Sequence, residues 1–272
     1  MDVYGLIGNP VAHSVSPGLH ETAYEVRGLD ARYVTLETDP ERLDQAIEGA
    51  AALGIDGLNV TIPFKEAVME VVDPSETAAS IGAVNMIDFS TDPPTGDNTD
   101  AAGARRALER HGVDPGAGTA VIVGAGGAAR AIGHMLVSAG ATVHIANRTA
   151  SRAESLASDL GGTGHSLDAV PELAAGSDLL INATSVGMEE DRSPVSASVF
   201  HEDLAVMDAV YTPLETRFLQ DGSAAGATTI DGAWMLLYQG VAAFERWTGV
   251  EAPVSAMNEA LRNRLESEWS ES

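Results

Sequence analysis

The sequence predicts a two-domain α/β protein whose sheets are mostly parallel. Short apolar stretches alternate with amphipathic ones along most of the chain, which is the pattern of βαβ units. A glycine-rich loop lies between an apolar stretch and a helical one near the middle of the sequence, as in nucleotide-binding folds. The length of 272 residues corresponds to about two domains of ordinary size.

The first hundred residues contain four predicted strands and two predicted helices. Ser16 followed by Pro17 is typical of an N-cap and a first helical residue, so a helix is expected to begin there and run toward Gly28. An amphipathic helix is expected over 40–53. Residues 90–98 are rich in turn formers and are expected to form a loop. Apolar stretches predict strands at 3–8, 32–37, 57–62 and 83–89.

A second domain is predicted to begin after a helix over 100–111 and a Pro- and Gly-rich segment at 114–118. Two closing helices, 232–248 and 253–266, have no strand partner left and are expected to fold back on the first domain. The predicted division is a first domain at 1–101, a second domain at 102–231 and C-terminal helices at 232–272. The expected strands of the second domain cover 119–123, 141–146, 178–182, 204–208 and 227–230, with a helix over 127–139.

The charge balance excludes several classes of partner. The chain carries 40 acidic and 15 basic residues, a formal net charge of −25, and no cysteine. Nucleic-acid binding needs clustered cations, and an anionic membrane would repel this chain, so neither partner is expected. Without cysteine there is no disulfide, thiolate metal site or cysteine nucleophile. Self-repulsion is screened in molar salt, where the Debye length is about 3 Å, so we hypothesise a salt-rich cytoplasm and a halophilic source.

Lysine is almost absent from the sequence. The basic residues are 14 arginines and one lysine, Lys65. A chain that avoids lysine elsewhere is expected to keep this one for a functional reason, and a leftover surface lysine is the alternative interpretation. Residues 1–9 lack the basic segment of a signal peptide, and no uncharged apolar run reaches the roughly 18 residues of a membrane span, so neither is expected.

A dinucleotide-binding loop is predicted in the second domain, where a strand–loop–helix unit matches the GxGxxG/A fingerprint at Gly124-Ala125-Gly126-Gly127-Ala128-Ala129. The first glycine allows a tight turn, and the second lets the backbone approach a pyrophosphate. The small final residue lets the helix pack on the strand, and the amides of the helix N-terminus bind the phosphates. An ordinary glycine-rich turn is the alternative interpretation.

The surrounding charge indicates that the cofactor is NADP. Residues 115–153 contain no Asp or Glu over 39 positions, although the chain average of 40 in 272 would place nearly six there. Asn147, Arg148 and Thr149 lie where an acid would bind the ribose 2′-hydroxyl of NAD. Arg148, followed one helical turn later by Arg152, suits a 2′-phosphate through charge-assisted hydrogen bonds. A surface arginine without a ligand is the alternative.

Polar clusters follow several strands of the first domain. They are GNPVAHSVSP at 8–17, NVTIPFK at 59–65, GAVN at 82–85 and DNTD at 97–100. Ligands of parallel α/β sheets bind at the carboxyl ends of strands, so Lys65 lies where a ligand is expected. A lysine ammonium suits a reaction in which negative charge grows on an oxygen atom.

With GAGGAA, NRT, INATSVG and a late DGAWMLLYQ, these segments resemble the shikimate dehydrogenase family over nearly the whole chain. The resemblance implies reversible NADP-dependent reduction of 3-dehydroshikimate to shikimate, a step toward chorismate in aromatic amino-acid biosynthesis. It also implies a substrate domain formed by the N-terminal part and the C-terminal helices, with a Rossmann NADP domain between them.

The resemblance also assigns roles to individual residues. Lys65 and Asp100 are implied to be the catalytic pair, in which Asp100 orients the lysine and binds the neighbouring hydroxyl. Ser14 and Ser16, with Tyr211 nearby, are implied to bind the substrate carboxylate, although a turn and an N-cap are the structural alternatives for the serines. The ring hydroxyls are assigned to Asn59, Thr61, Asn85, Asp100 and Gln239. The cofactor is assigned to Gly124, Ala125, Gly126, Gly127, Ala128, Asn147, Arg148, Thr149 and Arg152, and at its nicotinamide end to Thr184, Ala209, Gly232 and Glu76.

Other interpretations stay open. An NAD-dependent quinate/shikimate dehydrogenase shares the substrate motifs but is disfavoured by Arg148. A tetrahydrofolate-linked dehydrogenase also combines a lysine with a Rossmann domain, but it gives no role to Ser14 and Ser16. A silent NADP-binding regulator would need neither Lys65 nor Asp100, for which a helix N-cap is the structural alternative. The seven histidines show no metal-ligand spacing, so no metal is expected, and a cytoplasmic monomer or homodimer is predicted.

Overall fold

The computed structural model describes the backbone of residues 1–271 and the side chains of residues 1–267. It divides the chain into two compact units, Met1–Thr99 with Gln239–Ser270, and Asp100–Tyr238. The sequence placed the boundaries after 101 and after 231, so the second boundary lies seven residues later than expected. The helix that begins at Gly232 therefore belongs to the second unit until Tyr238 and to the first unit from there on.

The strands and helices follow one another in the order that βαβ units require. The first are β1 (Asp2–Gly8), α1 (Ser16–Arg27), β2 (Ala31–Glu37), α2 (Leu43–Leu53), β3 (Gly57–Val60), β4 (Asp73–Pro74), α3 (Glu76–Ile81), β5 (Met86–Asp88), β6 (Thr95–Asp97) and α4 (Thr99–Arg110). The rest are β7 (Thr119–Val123), α5 (Gly127–Ala139), β8 (Thr142–Asn147), α6 (Ala150–Leu160), β9 (Thr163–Ser166), α7 (Val170–Ala174), β10 (Leu179–Asn182), β11 (Ala205–Asp208), α8 (Arg217–Ala224), β12 (Thr228–Ile230), α9 (Gly232–Thr248) and α10 (Val254–Glu271).

The sheet of the first unit is parallel at one side and mixed at the other. Its strand order is β2-β1-β3-β5-β6-β4. β1 runs parallel to β2 and β3, whereas β5 runs antiparallel to both β3 and β6. The connection between β5 and β6 is too short for a parallel crossover, which needs a dozen or more residues, so an antiparallel pair forms there.

The sheet of the second unit is parallel throughout, as predicted. Its order is β12-β11-β10-β7-β8-β9, with every neighbouring pair parallel. The chain leaves β7 toward β8 and β9 and then returns to β10 on the other side, which is the Rossmann order. The strand order reverses between β7 and β10, and this is where such sheets bind dinucleotides.

Some local predictions were wrong. α1 begins at Ser16, so the N-cap position is Val15, and Ser16 does not cap the helix. The single helix expected over 40–53 is a 3₁₀ turn at Pro40–Arg42 followed by α2. The loop expected at 90–98 contains β6, because this short segment pairs with β5. Six further elements were not predicted from the sequence: α3, α6, α7, α8, β4 and β9.

Trp247 fixes α9 to the sheet of the first unit. Its indole N–H donates to the carbonyl of Ile87 on β5 (3.0 Å), and its ring stacks on Tyr4 of β1 with a centroid distance of 5.0 Å. A Cβ at Gly57 on β3 would overlap the indole, so glycine is required at this position. The C-terminal part of α9 is therefore an integral part of the first unit.

Candidate functional site

The loops after β1 and β3 lie side by side in the first unit. The amide of Asn9 donates to the carbonyl of Ile62 (3.0 Å), and the amide of Thr61 donates to the carbonyl of Ile7 (2.9 Å). These parallel strands deliver two polar loops to the same edge of the sheet, as expected for strand carboxyl ends. The two loops carry Ser14, Thr61 and Lys65 of the predicted site, and α1 begins with a fourth predicted residue, Ser16.

Ser14 and Ser16 are half-buried and joined to one another. The amide of Ser16 donates to Ser14 Oγ (3.2 Å), so Ser14 closes a turn immediately before α1. A serine hydroxyl that accepts one hydrogen bond still carries its own hydrogen for donation. The turn is therefore compatible with binding of a carboxylate by the same side chain.

A buried tyrosine that the sequence analysis did not single out organises this edge. Tyr33 on β2 donates its hydroxyl to Asn59 Oδ1 (2.7 Å), and both residues are buried. Asn59 Nδ2 donates in turn to the carbonyl of Asn85 (3.2 Å). Burial raises the pKa of Tyr33, which keeps it a neutral donor. These two bonds fix the orientation of the Asn59 amide group.

Asn85 is buried and fixes the start of α4. Its Oδ1 accepts the amide of Thr99 (2.7 Å), and its Nδ2 donates to Thr99 Oγ1 (3.0 Å). Its backbone amide donates to the carbonyl of Asp97 (3.0 Å), and its carbonyl accepts the amide of Val60 (2.8 Å). Thr99 is the first residue of α4, so Asn85 fixes the helical turn that carries Asp100. Asp100 is therefore in the first turn of the helix and is not its N-cap.

Lys65 is half-buried in the loop after β3. Its neighbour Phe64 is 2% exposed and packs in the core of the first unit. The carbonyl of Lys65 accepts the amide of Val84 (2.7 Å). The packing of Phe64 and the hydrogen bond from Val84 thus fix the backbone of Lys65, so its side chain extends from a defined position.

Three further predicted residues lie on other elements. Gln239 is half-buried on α9, beside Gly240, where a Cβ would lie 2.7 Å from the side chain of Leu19 on α1. Glu76 is exposed as the first residue of α3. Tyr211 is half-buried in the second unit, three residues after β11. The structure places Gln239 and Glu76 in the first unit and Tyr211 in the second.

The glycine-rich loop of the second unit has the form that a pyrophosphate requires. Gly124 has a φ of +124°, and a Cβ there would lie 2.5 Å from the carbonyl oxygen of Ala183. Gly126 and Gly127 are exposed, and apart from the adjoining backbone no atom lies within 4 Å of their Cβ positions. Ala129 is fully buried between helix and sheet. Open space therefore stands beside the N-terminal amides of α5, and a side chain at Gly126 would occupy it.

The two arginines after β8 differ from Arg130 in whether they form an ion pair. Arg130 forms an ion pair with Asp159 (3.2 Å). Arg148 and Arg152 are exposed, and neither forms an ion pair within the part of the chain whose side chains are described. Asn147, at the end of β8, donates its Nδ2 to the backbone carbonyl of Thr149 (3.1 Å) and shapes the turn that carries Arg148. The two free guanidinium groups suit a 2′-phosphate.

Two of the four residues predicted for the nicotinamide end, Thr184 and Ala209, contact Asn182, a residue that was not predicted from the sequence. Thr184 donates its amide (3.1 Å) and its hydroxyl (2.7 Å) to Asn182 Oδ1. The amide of Ala209 donates to the carbonyl of Asn182 (2.8 Å). A Cβ at Gly232 would overlap the backbone just after Ala209. Asp208, also missed, hydrogen-bonds Asn182 Nδ2 at 2.9 Å.

Within the described residues, no group of three or more His, Cys, Asp or Glu side chains is arranged to hold a metal ion. Over the same part of the chain, none of the helices has the length and apolar character that crossing a membrane requires.

Family models match three segments of the chain. Residues 6–87 match the shikimate dehydrogenase substrate binding domain, and residues 107–189 match shikimate / quinate 5-dehydrogenase. Residues 232–262 match the shikimate 5'-dehydrogenase C-terminal domain. The three segments follow the order of the structural units described above.

Curated relatives and solved structures align over nearly the whole chain. The shikimate dehydrogenase (NADP(+)) of Natronomonas pharaonis is 64% identical, and that of Haloarcula marismortui is 61% identical; each alignment covers 97% of this chain and 100% of the relative. The crystal structure of shikimate 5-dehydrogenase from Thermus thermophilus in complex with NADP(H) and shikimate superimposes with a TM-score of 0.89 at 39% identity. That superposition covers 97% of this chain and 100% of the solved one.

Proposed function

The chain belongs to the shikimate dehydrogenase family, and we propose on that basis that it catalyses the reversible reduction of 3-dehydroshikimate to shikimate with NADPH. The reaction is a step toward chorismate in aromatic amino-acid biosynthesis. One observation carries the proposal: the single lysine of the chain lies in the loop after β3, at the edge where hydroxyl and amide side chains gather.

In this proposal the substrate is bound mainly through uncharged polar groups of the first unit. Ser14 and Ser16, together with Tyr211, bind the carboxylate. The ring hydroxyls are bound by Asn59, Thr61, Asn85, Asp100 and Gln239. The buried hydrogen bond from Tyr33 fixes the Asn59 amide before the substrate arrives. A site built in this way discriminates against analogues that lack a hydroxyl, because its own buried groups would lose their partners.

Lys65 and Asp100 form the proposed catalytic pair. NADPH, when bound, supplies the hydride that reduces the ketone carbon of the substrate. Negative charge then grows on the ketone oxygen, and the Lys65 ammonium stabilises it and is the proposed source of the proton. Asp100 binds the adjacent hydroxyl and orients the lysine. In the oxidation of shikimate, Lys65 takes the proton back.

The second unit holds the cofactor in this proposal. Gly124, Ala125, Gly126, Gly127 and Ala128 bind the pyrophosphate, and Asn147, Arg148, Thr149 and Arg152 bind the 2′-phosphate. Thr184, Ala209 and Gly232 line the nicotinamide end, to which Glu76 of the first unit is also assigned. Two features support this assignment: the open space beside Gly126, and the exposed arginines of a segment without Asp or Glu.

The purified full-length chain tests the proposal directly. We expect it to consume NADPH in the presence of 3-dehydroshikimate and to form one shikimate per NADPH, as identified by mass spectrometry. The assay is run from dilute buffer to molar KCl, with circular dichroism to show at which salt concentration the chain is folded. A folded chain that consumes no NADPH at any of these concentrations contradicts the proposal.

The oligomeric state and the cytoplasmic location stay predictions from the sequence. Light scattering of the purified chain distinguishes the predicted monomer from the predicted homodimer.

A further inference from the structure

A buried carboxylate lies at the end of β11 and has no role in the proposed reaction so far. Asp208 is 0% exposed and is the last residue of β11, in register with Asn182, the last residue of β10. The loops that carry Thr184 and Ala209 begin at these two strand ends. Burial of a carboxylate is costly unless hydrogen bonds compensate for the lost water, so its partners indicate what it does.

Three uncharged groups donate hydrogen bonds to this carboxylate. Asn182 Nδ2 and the amide of Val210 both donate to Oδ1 at 2.9 Å, and the hydroxyl of Thr216 donates to Oδ2 at 2.6 Å. Within the described part of the chain, no charged side chain is among its partners. Burial outweighs the three bonds and raises the pKa of Asp208 to about 6.

Each partner of the carboxylate holds a different segment of backbone. Asn182 binds the amide and hydroxyl of Thr184 through Oδ1 and the carbonyl of Val186 through Nδ2 (3.0 Å). The amide of Val210 lies just after β11, so its hydrogen bond to Asp208 fixes the backbone that follows this strand. Thr216 accepts an amide of the first turn of α8 and caps that helix. The loops after β10 and β11 are therefore joined through one side chain.

We propose that Asp208 is a positioning residue for hydride transfer, which fixes Thr184 through Asn182 and fixes the backbone beside Ala209 directly. The inference rests on the proposed function, in which Thr184, Ala209 and Gly232 line the nicotinamide end. A displacement of about 1 Å at such a site costs on the order of 100-fold in rate. The loop after β8, which holds the adenosine end, is not part of this network. Loss of Asp208 is therefore expected to lower the rate of hydride transfer and to leave the affinity for the adenosine end of the cofactor unchanged.

The chemistry of the network identifies a matched control. An asparagine at 208 keeps an oxygen for Asn182 and Val210, and its amide N–H₂ donates to Thr216 Oγ1, because a hydroxyl can accept as well as donate. A leucine of similar size offers no acceptor to any of the three donors. Asp208→Asn therefore preserves the connections, and Asp208→Leu removes them.

The test compares wild type, Asp208→Asn and Asp208→Leu in the full-length chain. Three quantities are measured: kcat, the isotope effect with NADPH deuterated at the transferred position, and the affinity for adenosine 2′,5′-bisphosphate. For Asp208→Leu we expect kcat to fall about tenfold or more, with a larger isotope effect and fragment affinity within about twofold of wild type. For Asp208→Asn we expect kcat within about threefold of wild type. If Asp208→Leu does not fold, Thr216→Val against Thr216→Ser gives the same comparison, because only serine keeps the hydroxyl.

Two results overturn the inference. One is a kcat and an isotope effect in Asp208→Leu that equal those of wild type. When the Thr216 pair is used instead, the corresponding result is that Thr216→Val and Thr216→Ser have equal kcat and equal isotope effects. The other is a loss of fragment affinity that parallels the loss of kcat, since this indicates general unfolding. The activity of the wild type in the same experiment tests the proposed function separately, so failure of one is distinguishable from failure of the other.

Discussion

Replacement of His20 by phenylalanine is expected to make the stability of the chain less sensitive to acid. His20 on α1 is fully buried, and neither ring nitrogen has a hydrogen-bond partner within the described residues. Its ring stacks on Tyr33 with a centroid distance of 4.4 Å and an interplanar angle of 3°. Burial lowers the pKa of His20 to about 3, because no nearby group stabilises the imidazolium ion.

The magnitude follows from linkage between folding and protonation. Below pH 6.5 the unfolded chain binds a proton at this histidine, whereas the folded chain does not until the pH is near 3. The stability that the neutral histidine contributes is therefore complete above pH 6.5 and is lost as the pH falls, by about 1.4 kcal/mol per pH unit. At pH 5 the loss is about 2 kcal/mol. Its size depends on the pKa of the histidine in the unfolded chain, because the pKa in the folded chain lies well below 5.

Phenylalanine keeps the stacked ring and removes the titrating group. The free energy of unfolding is measured by urea denaturation at constant KCl, from pH 5 to pH 7, for wild type and His20→Phe. We expect the difference between the two proteins to shift by about 2 kcal/mol in favour of the variant at the lower pH, since carboxylates common to both cancel. Tyr24→Phe is the matched control, because the Tyr24 hydroxyl is also buried without a hydrogen-bond partner among the described residues but does not titrate in this range. A difference between wild type and His20→Phe that stays constant with pH refutes the reasoning.

Four further predictions address the site and the surface. Lys65→Met is expected to lower kcat by on the order of 100-fold with a modest change in KM for shikimate, and near-normal kcat would contradict its role. Arg148→Asp is expected to reduce the kcat/KM preference for NADP over NAD by about tenfold or more, because a charge-assisted contact is replaced by repulsion; an unchanged preference would exclude the contact. Gly126→Val is expected to raise KM for NADPH without lowering Tm, because apart from the adjoining residues no atom lies within 4 Å of the new Cβ; an unchanged KM would count against a pyrophosphate there. The free energy of unfolding is expected to rise with KCl into the molar range, and full stability in dilute buffer would contradict the salt hypothesis.

The sequence was most informative where a hydrophobic pattern is bounded by residues that end a helix or strand. Its predictions for β7, α5 and α9 match the structure residue for residue, because each is an apolar or amphipathic segment bounded by glycine or by a polar turn. β9 was missed because its four residues, Thr163–Ser166, include no apolar side chain and none of them is buried. β6 was missed because its strand conformation comes from pairing with β5, and three residues carry no periodicity of their own.

The residues of the candidate site also differ in whether the sequence could predict them. Ser14, Thr61 and Lys65 could be placed from the sequence because parallel strands bring their carboxyl ends to one edge. Tyr33 and Asp208 could not, since each acts through a hydrogen bond to a residue 26 positions away on another strand of its sheet. An acid within the apolar run AVMDAV was the available signal for Asp208, because a buried carboxylate needs several partners.

Steady-state kinetics with four combinations of cofactor and substrate test the central claim most directly. The values of kcat/KM are compared for NADP and NAD, each with shikimate and with quinate, at a KCl concentration where the chain is folded. The account predicts that NADP with shikimate gives the highest value, at least about tenfold above NAD with shikimate, because Arg148 and Arg152 offer free guanidinium groups to the 2′-phosphate. An equal or higher value for NAD with quinate would contradict it.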